Sequence, residues 1–347
     1  MVHEIDVALI PEPCTDLGIH VRRPSAHSVQ LSIIIVNWNT KERLANCLRS
    51  VFATVQALDF EVVVLDNAST DGSANMVREL FPQVRLIEGR ENLGFARGNN
   101  VALKHAVGDF VLLLNPDTVV QESAIDRLIA ALQACPSLGA VGAQLLNADG
   151  SLQQSWEQFP SLWLEWPVIR SLSQRRPTPV QTEYGEPGSL LDVDWATGAC
   201  LMIRRQALEQ VGALDESYWL YTEETDWCFR ARRCGWSVGV VTDAHVVHIQ
   251  QSASKQRPVD SQIQFYRSRA LFLQKNRSSL SARVLWLFLA IKSAVWTMFP
   301  SISPLGKGDN EFSLEDVRHS NMALLPESFK QLMAYHGRAS KRAQRRP

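Results

Sequence analysis

The chain has 347 residues, 46% of them hydrophobic, enough to bury one full core and part of a second. A formal net charge of -1 excludes a global electrostatic pull toward nucleic acid. The six cysteines (Cys14, Cys47, Cys135, Cys200, Cys228, Cys234) contain no CxxC pair, which argues against a zinc knuckle or disulfide framework and fits thiols kept reduced in a cytoplasm.

Residues 1–29 lack sustained periodicity and read as an N-terminal extension. Glu4, Asp6, Glu12 and Asp16 break up its apolar residues, so no secretory signal is expected there. From Leu31 the pattern alternates between strand and helix. Leu31 to Val36 is a buried strand. Thr40 is placed to cap a helix whose apolar face is Leu44, Leu48, Val51, Phe52 and Val55. Glu61 to Leu65 is a second strand, and Asp71 or Ser73 caps a short helix through Met76, Val77 and Leu80. Val84 to Ile87 is a third strand and Phe95 to Ala106 a third helix. Phe110 to Leu114 is a fourth strand, stopped by Asn115-Pro116-Asp117; Ile125, Leu128, Ile129 and Leu132 form a further helix face. This order predicts an α/β fold with a mostly parallel sheet, helices on both faces and right-handed crossovers.

After Gly150 the alternation lapses. Residues 151–194, with Trp156, Trp163, Trp166 and several prolines, read as irregular covering structure. Regular signals return at Cys200 to Ile203, Arg205 to Val211, a helix from Glu223 to Cys234 ended by Gly235, and strands at Val238 to Val241 and His245 to Ile249. Three regions are expected: 1–29, a catalytic domain at 30–276, and a helical C-terminal region at 277–347. Within the last, Val284 to Phe299 is apolar yet shorter than the roughly 20 residues that span a bilayer. Trp286 and Trp296, beside Arg283 and Lys292, suit a helix in the headgroup region, although a buried core helix reads the same way. The basic tail from Arg338 to Pro347 leans toward an anionic membrane surface, although a solvated tail reads the same way.

Four loops fall at strand ends on one side of the predicted sheet: Asn37 to Asn39, Asp66 to Ser73, Glu91 to Asn100, and Asn115 to Asp117. In an open parallel sheet that edge binds ligands. Each loop taken singly is ordinary turn chemistry; four together are not. Asp66 can accept the imide N–H of a uracil or thymine ring. Arg97, near a helix start, can face phosphate oxygens, and Asp117 can hold a divalent cation and through it a diphosphate. Glu223, Glu224 and Asp226 crowd a helix start. The helix dipole explains part of this, and a general base with raised proton affinity is the functional alternative. His248 closes a strand; it is either structural or, if it faces Asp117, a metal ligand.

In order, the segments SIIIVNWN (from Ser32), VVLDNASTDGS (from Val63), ENLGFARGNN (from Glu91), LLLNPD (from Leu112), ATGACLMIRR with GALDE (from Ala196), YTEETDWCFR (from Tyr221) and HVVHIQQS (from His245) resemble the inverting family 2 glycosyltransferases of GT-A, Rossmann-like fold, particularly the bacterial rhamnosyltransferase-like branch. The resemblance spans roughly Leu31 to Lys275. It implies a nucleotide pocket of Asn37, Asn39, Asp66 and Asn67, with Arg97, Asn99, Asn100 and Asn115 near ribose and diphosphate. Asp117, in the DXD position, would hold Mg2+ or Mn2+ with His248. Trp195, Thr197, Gly198 and Ala199 would line the acceptor side. Glu224 stands in the place of the base, with Glu223 or Asp226 as alternatives. Two departures are visible: Asn115 replaces the first Asp of DXD, and Glu224 stands where Asp is commoner.

The donor so implied is dTDP-rhamnose, with UDP-sugars as the alternative. The acceptor is a saccharide or polyprenyl-diphosphate-linked saccharide of cell-surface polysaccharide synthesis. The place is the cytoplasm, peripheral to the inner membrane. The rivals are a pyrophosphorylase-type nucleotidyltransferase, for which SIIIVNWNTKE lacks the Gly-rich basic loop, and a non-catalytic nucleotide- or sugar-binding module.

Overall fold

The structure, a computed structural model, describes residues 29–55, 58–162, 178–179, 189–249, 258–299 and 322–332. The expected extension at 1–29, apart from its last residue, and the basic tail lie outside the described residues.

Strand β1 (Leu31–Asn37) leads to helix α1 (Lys41–Thr54), β2 (Phe60–Asp66), α2 (Ser73–Leu80), β3 (Arg85–Glu88), α3 (Phe95–Leu103) and β4 (Phe110–Leu114). Then come β5 (Thr118–Val120), α4 (Ala124–Ala134), β6 (Leu138–Leu146), β7 (Trp156–Glu157), β8 (Thr178–Pro179), β9 (Leu190–Asp192), β10 (Trp195–Ala196) and β11 (Cys200–Arg204). The chain continues through α5 (Arg205–Val211), α6 (Glu223–Arg233), β12 (Ser237–His248), α7 (Pro258–Asn276), α8 (Ser279–Met298) and α9 (322–332).

The main sheet runs β3-β2-β1-β4-β11-β6-β12-β9-β8, with β5 paired to β12. Strands β1 to β4 are mutually parallel. Strand β11 then enters antiparallel between β4 and β6, and β12 runs parallel to β6. Along β1 the side chains alternate between two buried cores. Leu31, Ile33 and Ile35 meet α1, α2 and α4, while Ile34 and Val36 meet α3, α5 and α6. Burial on both faces is why the strand sequence is continuously apolar.

The chain order reverses between β1 and β4: β2 and β3 lie to one side, later strands to the other. The crevice at the carboxyl ends of such strands is the ligand position of open α/β sheets. Asn37, Asp66 and Asn115 stand at the ends of, or just beyond, β1, β2 and β4.

Local details depart from expectation. Thr40 does not cap α1; its hydroxyl donates to Asn37 Oδ1 at 2.6 Å. Asp71 caps instead, accepting from the backbone N–H of Lys41 at 2.8 Å and of Ser73 at 3.0 Å. The segments at 238–241 and 245–249 belong to one long strand, β12, with an irregular register between Val241 and His245.

Helices α7, α8 and α9 share a separate core of Ala270, Leu273, Ala282, Leu285, Trp286, Leu289 and Leu324. Trp286 is 1% exposed in that core, so it is not the interfacial anchor expected from sequence. Helix α7 fastens this unit to the sheet domain: Ser268 Oγ donates to the Leu220 carbonyl at 2.7 Å, and Asn276 Nδ2 donates to Asp226 Oδ1 at 3.0 Å.

Candidate active site

At the switch point the β1 and β2 ends are cross-linked. Asn37 Nδ2 donates to Asp66 Oδ1 at 3.0 Å and to Ser69 Oγ at 3.1 Å, and the Ser69 N–H donates to Asp66 Oδ2 at 3.0 Å. Asn39, at φ +51°, accepts from the Thr70 N–H at 2.7 Å. These bonds hold Asp66, 4% exposed, in one orientation at the carboxyl end of β2. A carboxylate oxygen has two acceptor sites, so Asp66 keeps capacity for a further donor. Ser69 does as much here as the residues named from sequence.

Asn67 braces the next loop. Its amide donates to Asn92 Oδ1 at 3.0 Å and to the Gly94 carbonyl at 3.1 Å, and its oxygen accepts from the Leu93 N–H at 2.8 Å. Gly94 begins α3 with φ +76°; a Cβ there would lie 2.3 Å from the Trp219 carbonyl oxygen. Only glycine fits where the 219 loop crosses the helix start. Arg97 stands exposed in the first turn of α3, and no hydrogen bond or ion pair engages it among the described residues. Asn99 and Asn100, expected near ribose and diphosphate, are turned to other work. Asn99 donates to the Phe95 carbonyl at 2.9 Å. The Asn100 amide bonds the Leu214 carbonyl, the Leu214 N–H and Glu216, tying α3 to the 214 loop.

Past β4, the Asn115 N–H donates to the Ala199 carbonyl at 3.0 Å. Pairing of β5 with β12 sets His248 opposite Thr118 and brings its ring to Asp117, Nε2 to Oδ1 3.4 Å. Asn115 Nδ2 lies 3.4 Å from the same nitrogen. The ring is oriented from behind by Gln153, a residue that sequence reasoning missed. Gln153 Nε2 donates to Asn147 Oδ1 at 2.8 Å and to the His248 carbonyl at 3.0 Å, so its Oε1 is the acceptor facing His248 Nδ1 at 2.8 Å. In the neutral ring the proton therefore sits on Nδ1, and Nε2 presents a lone pair toward Asp117.

A carboxylate and an unprotonated imidazole nitrogen, 3.4 Å apart, suit adjacent positions on a divalent cation whose bonds are about 2.0–2.2 Å. The residues fit the metal that the fold implies. No cluster of three or more His, Cys, Asp or Glu that could hold a metal occurs among the described residues, so a cation here would need oxygens from a ligand to fill its shell.

On the other flank α6 starts after two consecutive left-handed residues, Tyr221 (φ +67°) and Thr222 (φ +73°). Such backbone costs about 1–3 kcal/mol per non-glycine residue, and it is held by packing of Tyr221 on Phe265 at 5.8 Å. Glu224 follows with its side chain against Gly198 and Phe95 alongside. Its Oε2 has no hydrogen-bond partner. Burial pushes the Glu224 carboxyl up to about 7. Glu223, 3% exposed with Oε2 unpartnered, is pushed well above the carboxylate range by burial and by Glu224 beside it.

Asp226, the third candidate, is committed. It accepts from Tyr218 Oη (3.2 Å), Arg230 Nε (2.8 Å) and Asn276 Nδ2 (3.0 Å), and is 2% exposed. It anchors α6, leaving Glu223 and Glu224 as the two of the three with a buried, unpartnered oxygen. Trp195 is likewise fixed, its Nε1 donating to the Gln158 carbonyl at 3.0 Å. Thr197 and Ala199 shape the turn that presents Gly198.

Short contacts thus run from Asp117 through His248 and Asn115 to Ala199, and from Asp66 through Asn67, Gly94 and Phe95 to Gly198 and Glu224. The three key carboxylates lie around one edge of the sheet.

Residues 32–212 match the family model described as Glycosyl transferase family 2. The fold is GT-A and the chain belongs to glycosyltransferase family 2; it is a glycosyltransferase. It is 28% identical over 271 residues to the N-acetylglucosaminyl-diphospho-decaprenol L-rhamnosyltransferase of Mycobacterium tuberculosis, covering 72% of this chain and 85% of that one. It is 29% identical over 252 residues to the low-salt glycan biosynthesis hexosyltransferase Agl10 of Haloferax volcanii, covering 71% and 74%. Among solved structures, the mannosyltransferase PcManGT from Pyrobaculum calidifontis, in complex with GDP-Man and Mn2+, superposes with a TM-score of 0.55 at 15% identity over 90% of both chains.

Proposed function

We propose that the protein transfers an L-rhamnosyl group from dTDP-rhamnose to a polyprenyl-diphosphate-linked saccharide, with inversion at the anomeric carbon. The name of the mycobacterial relative supports the sugar and the acceptor class. Asp66, held by Asn37 and Ser69 at the carboxyl end of β2, supports a pyrimidine nucleotide such as dTDP or UDP. A thymine or uracil imide N–H is a donor that this carboxylate can accept.

Glu224 carries the reading. It takes the proton of the acceptor hydroxyl as that oxygen attacks the anomeric carbon from the face opposite the diphosphate. One C–O bond forms while the bond to the diphosphate breaks, so no covalent enzyme intermediate arises. A base titrating near neutrality is matched to this work, and its buried Oε2 has no hydrogen bond that would compete for the proton. Gly198 packs against the Glu224 side chain, and Arg97, exposed and unpaired among the described residues, would face phosphate oxygens.

Asp117 and His248 would hold the divalent metal, Mg2+ or Mn2+, which supplies charge neutralisation to the departing nucleoside diphosphate. The Mn2+ bound in the Pyrobaculum mannosyltransferase agrees with that chemistry.

Glu224→Gln should lower kcat by about 100-fold or more while donor affinity, measured by calorimetry, stays within error. Near-normal turnover would remove Glu224 from its role. Donor assays with dTDP-rhamnose and UDP-sugars separate the proposed donor from the alternative.

A further inference from the structure

Helix α8 is apolar on two opposite sides. Its inner side buries Leu285, Trp286 and Leu289 against α7 and α9. Its outer side carries Leu280, Val284, Leu287, Ile291 and Met298, exposed by 67%, 42%, 52%, 58% and 64%. Steps of four, three, four and seven residues keep these five within an arc of about 60° along the helix. Isolated exposed leucines are ordinary on soluble proteins; an unbroken row the length of a helix is not.

Charge says what covers the row. From Asn276 to Phe299 the chain has no Asp or Glu, and its charges are Arg277, Arg283 and Lys292. Lys292 Nζ lies 5.0 Å from the Tyr266 ring and 4.6 Å from that of Trp296 and donates to the Tyr266 hydroxyl at 2.8 Å, so its stem follows apolar surface beside the row. We propose that this row is the face on which the protein lies against an anionic lipid bilayer, with α8 in the membrane plane.

Two other arrangements fit less well. Twenty residues make a helix of about 30 Å, long enough to span a bilayer, but spanning would pull Trp286, Leu285 and Leu289 out of their core. A second copy packed row to row would oppose like charges with no carboxylate on α8 to pair them. Anionic headgroups meet the cations, and acyl chains meet the row. The inference rests on α7 to α9 and does not need the donor or acceptor named above.

The test is co-sedimentation of the full chain with phosphatidylcholine vesicles, with and without phosphatidylglycerol. The expected result is binding that strengthens with phosphatidylglycerol and weakens with salt. The double variant Leu287→Ser, Ile291→Ser should cut partitioning by about 10-fold or more, keeping its thermal midpoint and nucleotide-sugar binding. Wild-type protein that ignores both vesicles, or a double variant that binds as well as wild type, overturns the proposal. So does light scattering that shows a dimer broken by the same substitutions without vesicle binding. Failure here with donor binding intact leaves the proposed reaction standing.

Discussion

Glu224 links chemistry to stability with opposite signs. Its folded value of about 7 lies above the ordinary 4.5, so between those limits the folded chain keeps a proton that the unfolded chain has released. Stability therefore falls as pH rises through that window, and the loss is complete above about 7. Glu224→Gln should raise the melting temperature relative to wild type at pH 8 and leave it nearly unchanged at pH 5, by scanning fluorimetry. In wild type, kcat/KM should climb with pH to a plateau, with its midpoint near 7; a flat profile from pH 5 to 9 would contradict a carboxylate base.

Gln153 should set metal affinity without touching the metal. Gln153→Leu frees the His248 ring to change tautomer, and Mn2+ affinity read by electron paramagnetic resonance should drop by about 10–100-fold. Gln153→Glu, which still accepts from Nδ1, should recover part of it. Asp117, Asp66 and Glu224 were legible in sequence because each sits at an abrupt strand end or helix start. Gln153 was not, since its partner lies 95 positions away and its own surroundings lack any period.

Strands β1, β2 and β4 were readable because burial on both faces leaves an apolar run in each, Ile33 to Val36, Val62 to Leu65 and Phe110 to Leu114. Strand β6, although central, gave no comparable signal: its sequence, LGAVGAQLL, holds two glycines with a packing reason to be there. A Cβ at Gly142 would meet Ala196 Cβ at 2.7 Å, and one at Gly139 would meet Trp236 at 2.8 Å. Tertiary approach there overrode local propensity. Where the 219 loop crosses α3 the same logic is testable. Gly94→Ala combines a left-handed backbone with a clash, and should cost about 2 kcal/mol or more in urea denaturation.

The C-terminal helices and the sheet domain meet through α7, which touches the loop and helix bearing the proposed base. Trp286→Ala should open the small core by about 3–5 kcal/mol. Hydrogen exchange in α7 to α9 should then accelerate while β1, β2 and β4 stay protected. Activity should fall as well, because Leu220 and Asp226 lose the partners on α7 that steady the strained turn at Tyr221 and Thr222. Unchanged exchange outside the mutated helix would argue against that linkage.

The loops proposed to hold the nucleotide, from Asn37 to Asp117, and the proposed base Glu224 come from opposite halves of the polypeptide, joined by the backbone bond from Phe95 to Trp219. Residue 212, where the family-matched stretch stops, falls between them. Splicing there with a relative would part Glu224 from the Gly198 turn it lies against and His248 from Asp117, so a hybrid should transfer sugar only where the rear parent's side chains seat on the front parent's loops.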